Sequence, residues 1–360
     1  MRSWVLLSLV LLTVGDVSAH KLAPEATPEE RRLAGITSGA RASLERLMAR
    51  WSLEVFTEPV HEEITNHIYG CNGDVCAGNQ ATTAPPAVLA GVRWNDDPPF
   101  QLLAGQAQNT NCKTRETVRF ETQPLCWVAL FRDAKAGAAR GKRYGPGDAM
   151  LYRSHFGDLQ FLHAMAAADG ESAATTRDAL MGWFEFAWRA SLGEYTLDTR
   201  LKDVRIPVIQ HAFGGTEWRV MDLYTLGASG GLRRYVADVA FGSLLHAVQD
   251  SFAAGHVRRE EASGLQECHL AGTAVSAPGR ILEFHSYAGQ DHGLHAQADS
   301  RKAFMRRFQE AGNVVEVSKP LVRARTQALE WHAVEPYFDC LFTLQRPEAP
   351  ATAGDFLGGN

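Results

Sequence analysis

His246 and Asp250 stand four residues apart inside the most apolar helical stretch of the chain, residues 232–254. At that spacing both side chains leave a helix on the same side, one turn apart. Val239, Leu244, Leu245 and Val248 are their neighbours, so both are directed inward. A carboxylate and an imidazole buried together are costly unless something compensates them. A divalent cation compensates both, and zinc takes imidazole nitrogen and carboxylate oxygen at about 2.0–2.2 Å. Gly255 is expected to end the helix and turn the chain, after which His256 can reach back to the same cluster. His295 and Asp299 repeat the spacing and are expected to open a later helix. Either pair alone is most simply an ion pair or a helix cap. Two in succession, the first extended to HxxxDxxxxxH, point to a metal site shared between helices. His285 and His292 have no acid four residues on. His163, His211, His269 and His332 lack a placed acid partner and read as ordinary core or surface residues, and His67 reads as surface.

Such side chains need rigid carriers. Apolar periodicity predicts helices over 29–50, 59–69, 151–168, 173–191, 232–254, 297–311 and 317–344. Trp183, Phe184, Phe186 and Trp188 in the fourth of these are read as bundle packing. Residues 71–149 are rich in Gly, Pro, Asn and Thr and read as long loops with short strands at most. Residues 258–293 read as a loop, and 347–360 as a disordered Ala/Gly/Pro-rich tail. The expected fold class is all-α: a single helical domain over 51–346 with long, function-bearing loops.

The chain has 360 residues, 45% apolar and 21% charged, which suits a globular protein of one large or two small domains. Its net charge of -5 offers no basic nucleic-acid surface, although a metal cluster would supply positive charge locally. Residues 1–19 read as a signal peptide, with Arg2 ahead of an apolar run at 5–14 and small residues at Val17 and Ala19 before the cleavage point. That run is too short for a membrane span, and no transmembrane segment is expected once it is removed. The mature protein is therefore expected outside the cytoplasm, secreted or periplasmic. In that compartment six cysteines read as disulfides. Cys71 with Cys76 and Cys112 with Cys126 are the local pairings, which leaves Cys268 with Cys340.

HxxxDxxxxxH in a helix resembles the zinc-dependent phospholipase C and trinuclear-zinc single-strand nuclease superfamily. Members are all-helical, hold three zinc ions and hydrolyse phosphoesters. Further positions of the family pattern match this chain in order. An early His at a helix start fits His61 in His61-Glu62-Glu63-Ile64-Thr65. An Asp after a Gly/Trp-containing segment fits Asp96 in Gly91-Val92-Arg93-Trp94-Asn95-Asp96, with Asp97 as the adjacent alternative. A His in a short HFxD segment fits His155-Phe156-Gly157-Asp158. The match covers residues 61–299, about two thirds of the chain. By this resemblance one zinc would be held by Asp96, His155, His246 and Asp250, a second by His256, His295 and Asp299, and a third by His61 and a bridging Asp250. The interval from His256 to His295 is longer than in the family, which keeps His292 and His285 open as alternatives to His295. Members also use an N-terminal Trp amine as a ligand. Trp51-Ser52-Leu53-Glu54 resembles such a start, which implies a propeptide over 20–50. Signal cleavage alone would leave His20 first and Trp51 as a core residue.

The resemblance implies a secreted phosphodiesterase with two or three zinc ions and a metal-activated water, with Asp96 or Asp97 accepting a proton. The HEEIT and HFGD segments look nearer to the phospholipase branch. Phospholipid is then the expected substrate, with peripheral membrane contact, and single-stranded nucleic acid is the alternative. Phe100, Trp127, Phe156, Phe213 and Trp218 could stack a base or fill the core. A non-catalytic, zinc-stabilised exported binding protein is the competing class. Oligomeric state and head-group preference are not legible.

Overall fold

A computed structural model describes residues 21–36, 45, 47–49, 57–77, 81–102, 112–114, 116–228 and 230–357. The signal segment and Trp51 lie outside them. The fold is mostly helical. In chain order the helices are α1 Pro28–Ala34, α2 Val60–Ile68, α3 Pro86–Val92, α4 Pro124–Ala139, α5 Met150–Phe156, α6 Ala173–Ser191, α7 Pro207–Phe213, α8 Val220–Thr225, α9 Gly230–Arg233 and α10 Val236–Asp250. Four strands follow, β1 Val257–Arg259, β2 Glu267–Leu270, β3 Thr273–Ser276 and β4 Ile281–Phe284, and then α11 His292–Ala298, α12 Arg301–Arg307, α13 Val314–Thr326 and α14 Trp331–Leu341.

The central element is α10, apolar on almost every side and buried almost throughout. It can cross α3 closely because both helices present glycine there. A Cβ on Gly242 would stand 2.1 Å from the Val88 carbonyl oxygen, and one on Gly91 would stand 2.2 Å from that of Val239. The aromatic run of α6 packs as its spacing predicts. Trp183 stacks on Trp94 with centroids 5.6 Å apart, and Phe184 stacks on Phe338 of α14 at 4.5 Å. The three disulfides join the cysteines paired by proximity and remainder: Cys71–Cys76, Cys112–Cys126 and Cys268–Cys340.

Several boundaries differ from expectation. Residues 71–149 contain α3 and α4, each opened by a proline in its first turn, where the missing N–H costs nothing. The expected loop after residue 258 holds two antiparallel pairs, β1 with β4 and β2 with β3. In β2 the buried Cys268 and Leu270 alternate with exposed Glu267 and His269, a two-residue period too short to stand out in the sequence. The predicted helix over 151–168 is α5 plus a 3-10 turn Gln160–His163, stopped by Ala164 in the left-handed region at φ 50°. Residues 297–311 fall into α11 and α12, because Ser300 caps a new helix by accepting from the Ala303 N–H. The last predicted helix divides at Ala328, φ 51°, into α13 and α14.

Residues 21–34 and 347–353 pack into the fold. Leu22 and Ala23 are buried, the Lys21 carbonyl accepts from the Val60 and His61 N–H groups, and Thr27 with Glu30 forms a capping box at the start of α1. The tail expected to be disordered is packed up to residue 357. The Ala351 N–H donates to Glu171, the Ser286 N–H donates to Thr352, and Ala349, Ala351 and Ala353 are buried. Their small side chains let an extended chain lie in the core while its neighbours satisfy the backbone.

Candidate metal centre

Five segments bring the candidate ligands together. His61 stands on the first turn of α2, and Asp96 follows α3 in a turn. His155 ends α5, and His163 ends the 3-10 turn behind it. His246 and Asp250 are on α10, His256 follows it, and His295 and Asp299 belong to α11 and its C-cap. Their ligand atoms form four groups, each with all atoms within 4.8 Å of one another: His61–Asp96–His246, Asp96–His155–His163 and His163–His246–Asp250, which share members, and His256–His295–Asp299, which shares none with them. All of these residues are buried.

In four of the six rings one nitrogen is fixed by a neighbour. His246 Nδ1 donates to the Val92 carbonyl at 2.7 Å, His256 Nδ1 to the His163 carbonyl at 2.6 Å, and His155 Nε2 to the Asp96 carbonyl at 2.9 Å. A carbonyl only accepts, so the proton sits on that nitrogen and the other carries a lone pair. His61 is oriented by a longer relay. The Thr65 hydroxyl donates to the His61 carbonyl and so accepts from Gln249 Nε2, which turns Gln249 Oε1 toward His61 Nδ1 at 2.6 Å. Outer partners of this kind hold metal-binding imidazoles in one tautomer.

The inner nitrogens face carboxylates. His246 Nε2 is 2.9 Å from Asp250 Oδ2, His163 Nδ1 is 3.0 Å from the same oxygen, and His61 Nε2 is 3.3 Å from Asp250 Oδ1. In the second group His295 Nε2 and His256 Nε2 stand 3.0 and 3.5 Å from Asp299 Oδ2. A lone pair facing a carboxylate is repulsive unless a proton or a cation lies between them. Both oxygens of Asp96, His163 Nε2 and His295 Nδ1 have no hydrogen-bond partner among the described residues. Buried polar atoms left in this state need compensation.

Electrostatics gives the same picture. Burial drives Asp96 well above the usual carboxylate range. Burial also opposes charge on Asp250, but His246, His256 and His61 outweigh it and hold that carboxylate well below its ordinary value. Burial likewise opposes a charged His256, yet Asp250 and Asp299 carry it up to about 10. His246 is pushed far down by burial, and His155 by the same cause to about 3. Protons alone therefore leave this cluster split between charged and neutral members. Divalent cations would remove the conflict, and imidazole nitrogen with carboxylate oxygen is a donor set that suits zinc.

Four expectations change. His163, read as an ordinary residue, lies at the centre of the cluster, where its Nδ1 is 3.0 Å from Asp250 and 3.7 Å from Asp96. Its acid partners are remote in sequence, so no local spacing could reveal it. Asp97 points elsewhere: both its oxygens accept from the Phe120 N–H, at 2.9 and 3.1 Å, and it joins none of the metal groups. The helix ends at Asp250 with Ser251 as its cap, five residues before Gly255. Gly255 has a different use, since a Cβ there would stand 2.7 Å from His295 Nδ1. His67 is buried rather than on the surface, with Nδ1 3.1 Å from the Cys71 carbonyl. Neither His285 nor His292 joins a metal group among the described residues. No family model, curated protein or solved structure matches the chain.

Proposed function

We propose that this chain is an extracytoplasmic zinc-dependent phosphodiesterase of the phospholipase C type. One observation carries the reading: six imidazoles and three carboxylates from five separate segments converge in buried groups whose ligand atoms lie within 4.8 Å of one another. The three disulfides fit an oxidising compartment. Among the described residues no helix is long and apolar enough to cross a membrane.

In this reading Asp96, His163, His246 and Asp250 hold one cation, with His155 on the Asp96 side. His256, His295 and Asp299 hold a second, and His61 with the other oxygen of Asp250 holds a third. Bound zinc would supply positive charge to the phosphate oxygens and a water acidic enough to attack near neutral pH. Asp250 has inner nitrogens at both of its oxygens and so ties the sites together. Asp96, which accepts no hydrogen bond at either oxygen among the described residues, would take up the proton in this reading. Asp97 is held by the Phe120 backbone and is not.

The packing favours retention of residues 20–50 over their removal. Excision would strip Leu22 and Ala23 from the core and the Lys21 carbonyl from His61. N-terminal sequencing of active secreted protein decides this: a Trp51 start restores the propeptide.

Phospholipid is the favoured substrate because, of the aromatics that could stack a base, Phe100, Trp127, Phe156 and Phe213 are buried in the core and the half-buried Trp218 stacks on Phe213. The test is Asp250→Asn, with zinc counted and hydrolysis followed on phosphatidylcholine and single-stranded DNA in parallel. The wild type should carry two or three zinc ions and cleave the lipid. The variant should lose at least one zinc and more than about 100-fold of its turnover, beyond the usual effect of an outer-shell change. Turnover of DNA alone would make the protein a nuclease. Zinc without turnover on either would make it a binding protein.

A further inference from the structure

Two glutamates follow His61 on α2, Glu62 and Glu63, and both are buried. Neither joins a metal group among the described residues. A carboxylate in the core is costly unless a partner compensates it, and an apolar residue in its place would carry no such cost. Both glutamates are paired with arginines, and each arginine stands within three positions of a different ligand aspartate.

Glu62 faces the end of α3. Its Oε1 accepts from Arg93 Nη1 at 2.7 Å and from the Ala23 N–H at 3.0 Å. Arg93 caps α3, and its carbonyl accepts from the Asp97 N–H at 3.1 Å, which closes the turn that presents Asp96. Glu63 faces α12. Its two oxygens accept from Arg301 Nε and Nη2 at 2.7 and 2.9 Å, and its side chain is only 1% exposed. Arg301 opens α12 two residues after Asp299, and its backbone N–H donates to Glu58 Oε2. The junction that follows Asp299 is therefore moored twice on the segment that carries His61. A planar guanidinium that meets a carboxylate with two parallel bonds fixes direction as well as distance, which a lysine ammonium does not.

We propose that Glu62 and Glu63 are positioning residues of the metal centre: through Arg93 and Arg301 they hold the Asp96 turn and the Asp299 junction in register with His61. The proposal rests on the reading of the cluster as a cation site. The glutamates take no part in the chemistry; they govern how tightly the cations are held. A buried ion pair can be exchanged for apolar side chains of similar volume with little loss of stability. A role in geometry and a role in folding therefore separate by experiment.

The test compares wild type with Arg301→Lys, with Glu62→Gln and with the double variant Glu63→Met, Arg301→Met. Zinc affinity in a chelator competition and the melting midpoint of the zinc-free protein are measured for each. The double variant should melt, zinc-free, at or above the wild-type midpoint and bind zinc about 10–100-fold more weakly. Arg301→Lys keeps the charge without the two parallel bonds and should also weaken zinc, by about tenfold. Glu62→Gln keeps an acceptor for Ala23 and should do the same. Wild-type affinity in the double variant and in Glu62→Gln would overturn the proposal. So would wild-type affinity in Arg301→Lys, since charge alone would then suffice. If the double variant melts below wild type, Arg301→Lys decides. A wild type that takes up no zinc would remove the cation reading itself and this proposal with it, whereas zinc uptake that the variants leave untouched removes this proposal alone.

Discussion

At the scale of single residues, the chemistry depends on histidines aimed at carboxylates across large sequence distances. His246 with Asp250 and His295 with Asp299 are legible because a helix brings i and i+4 together. His163 is not, because its partners Asp96 and Asp250 lie 67 and 87 positions away. Asp96 and Asp97 are adjacent, and no period can say which one faces the cluster; the Phe120 N–H settles it by capturing Asp97. Three predictions belong here. His163→Ala should remove zinc at least as completely as His246→Ala, measured by metal analysis. His155→Ala should cost less, because its ring lies at the edge of the cluster against Trp127 and Phe131. Gln249→Ala breaks the relay to His61 without removing a ligand, and should weaken the most labile zinc by about 10–100-fold in a chelator competition.

At the scale of elements, the existence of α6 and α10 was readable from their apolar faces, whereas the endings were not. Asp250 is followed by Ser251, which gives no strong stop signal, and the visible glycine five residues on serves close approach instead. Gly255→Ala should therefore press on His295. Expected outcomes are about 1–3 kcal/mol of lost stability in a denaturant melt and a preferential loss of the zinc held by His256, His295 and Asp299. Glu30 makes a second prediction. Burial, opposed by Arg93 and the Thr27 bonds, raises its carboxyl to about 7. An acid whose folded pKa is raised stabilises the fold fully below its unfolded value and loses that contribution as pH rises through about 7. Glu30→Gln keeps the neutral form and the acceptor for Thr27. It should melt like the wild type at pH 5 and be more stable at pH 8, by at most about 3 kcal/mol.

At the scale of the whole molecule, the larger apolar core takes in Leu22 and Ala351, so described residues of the proposed propeptide and of the tail both pack against it. Composition marked the tail as disordered, because small residues resemble disorder until a groove accepts them, whereas the propeptide over 20–50 rested on the resemblance of Trp51-Ser52-Leu53-Glu54 to a mature start. The strands after α10 were hidden for a related reason: two short hairpin pairs leave too few alternations to read. Cys268–Cys340, 72 positions apart, closes a segment that holds β3, β4 and α11 to α13. Its replacement by alanines should cost about 2–5 kcal/mol, read by thermal melting. The central claim is that the convergent cluster holds divalent cations and hydrolyses phosphodiesters through them. Its most direct measurement is zinc per chain, thermal midpoint and phosphodiester turnover followed together through stepwise chelation and zinc re-addition. The account predicts two or three zinc ions whose removal lowers both midpoint and turnover, and whose return restores them. A chain that folds to the same midpoint and turns over equally well without metal would contradict it.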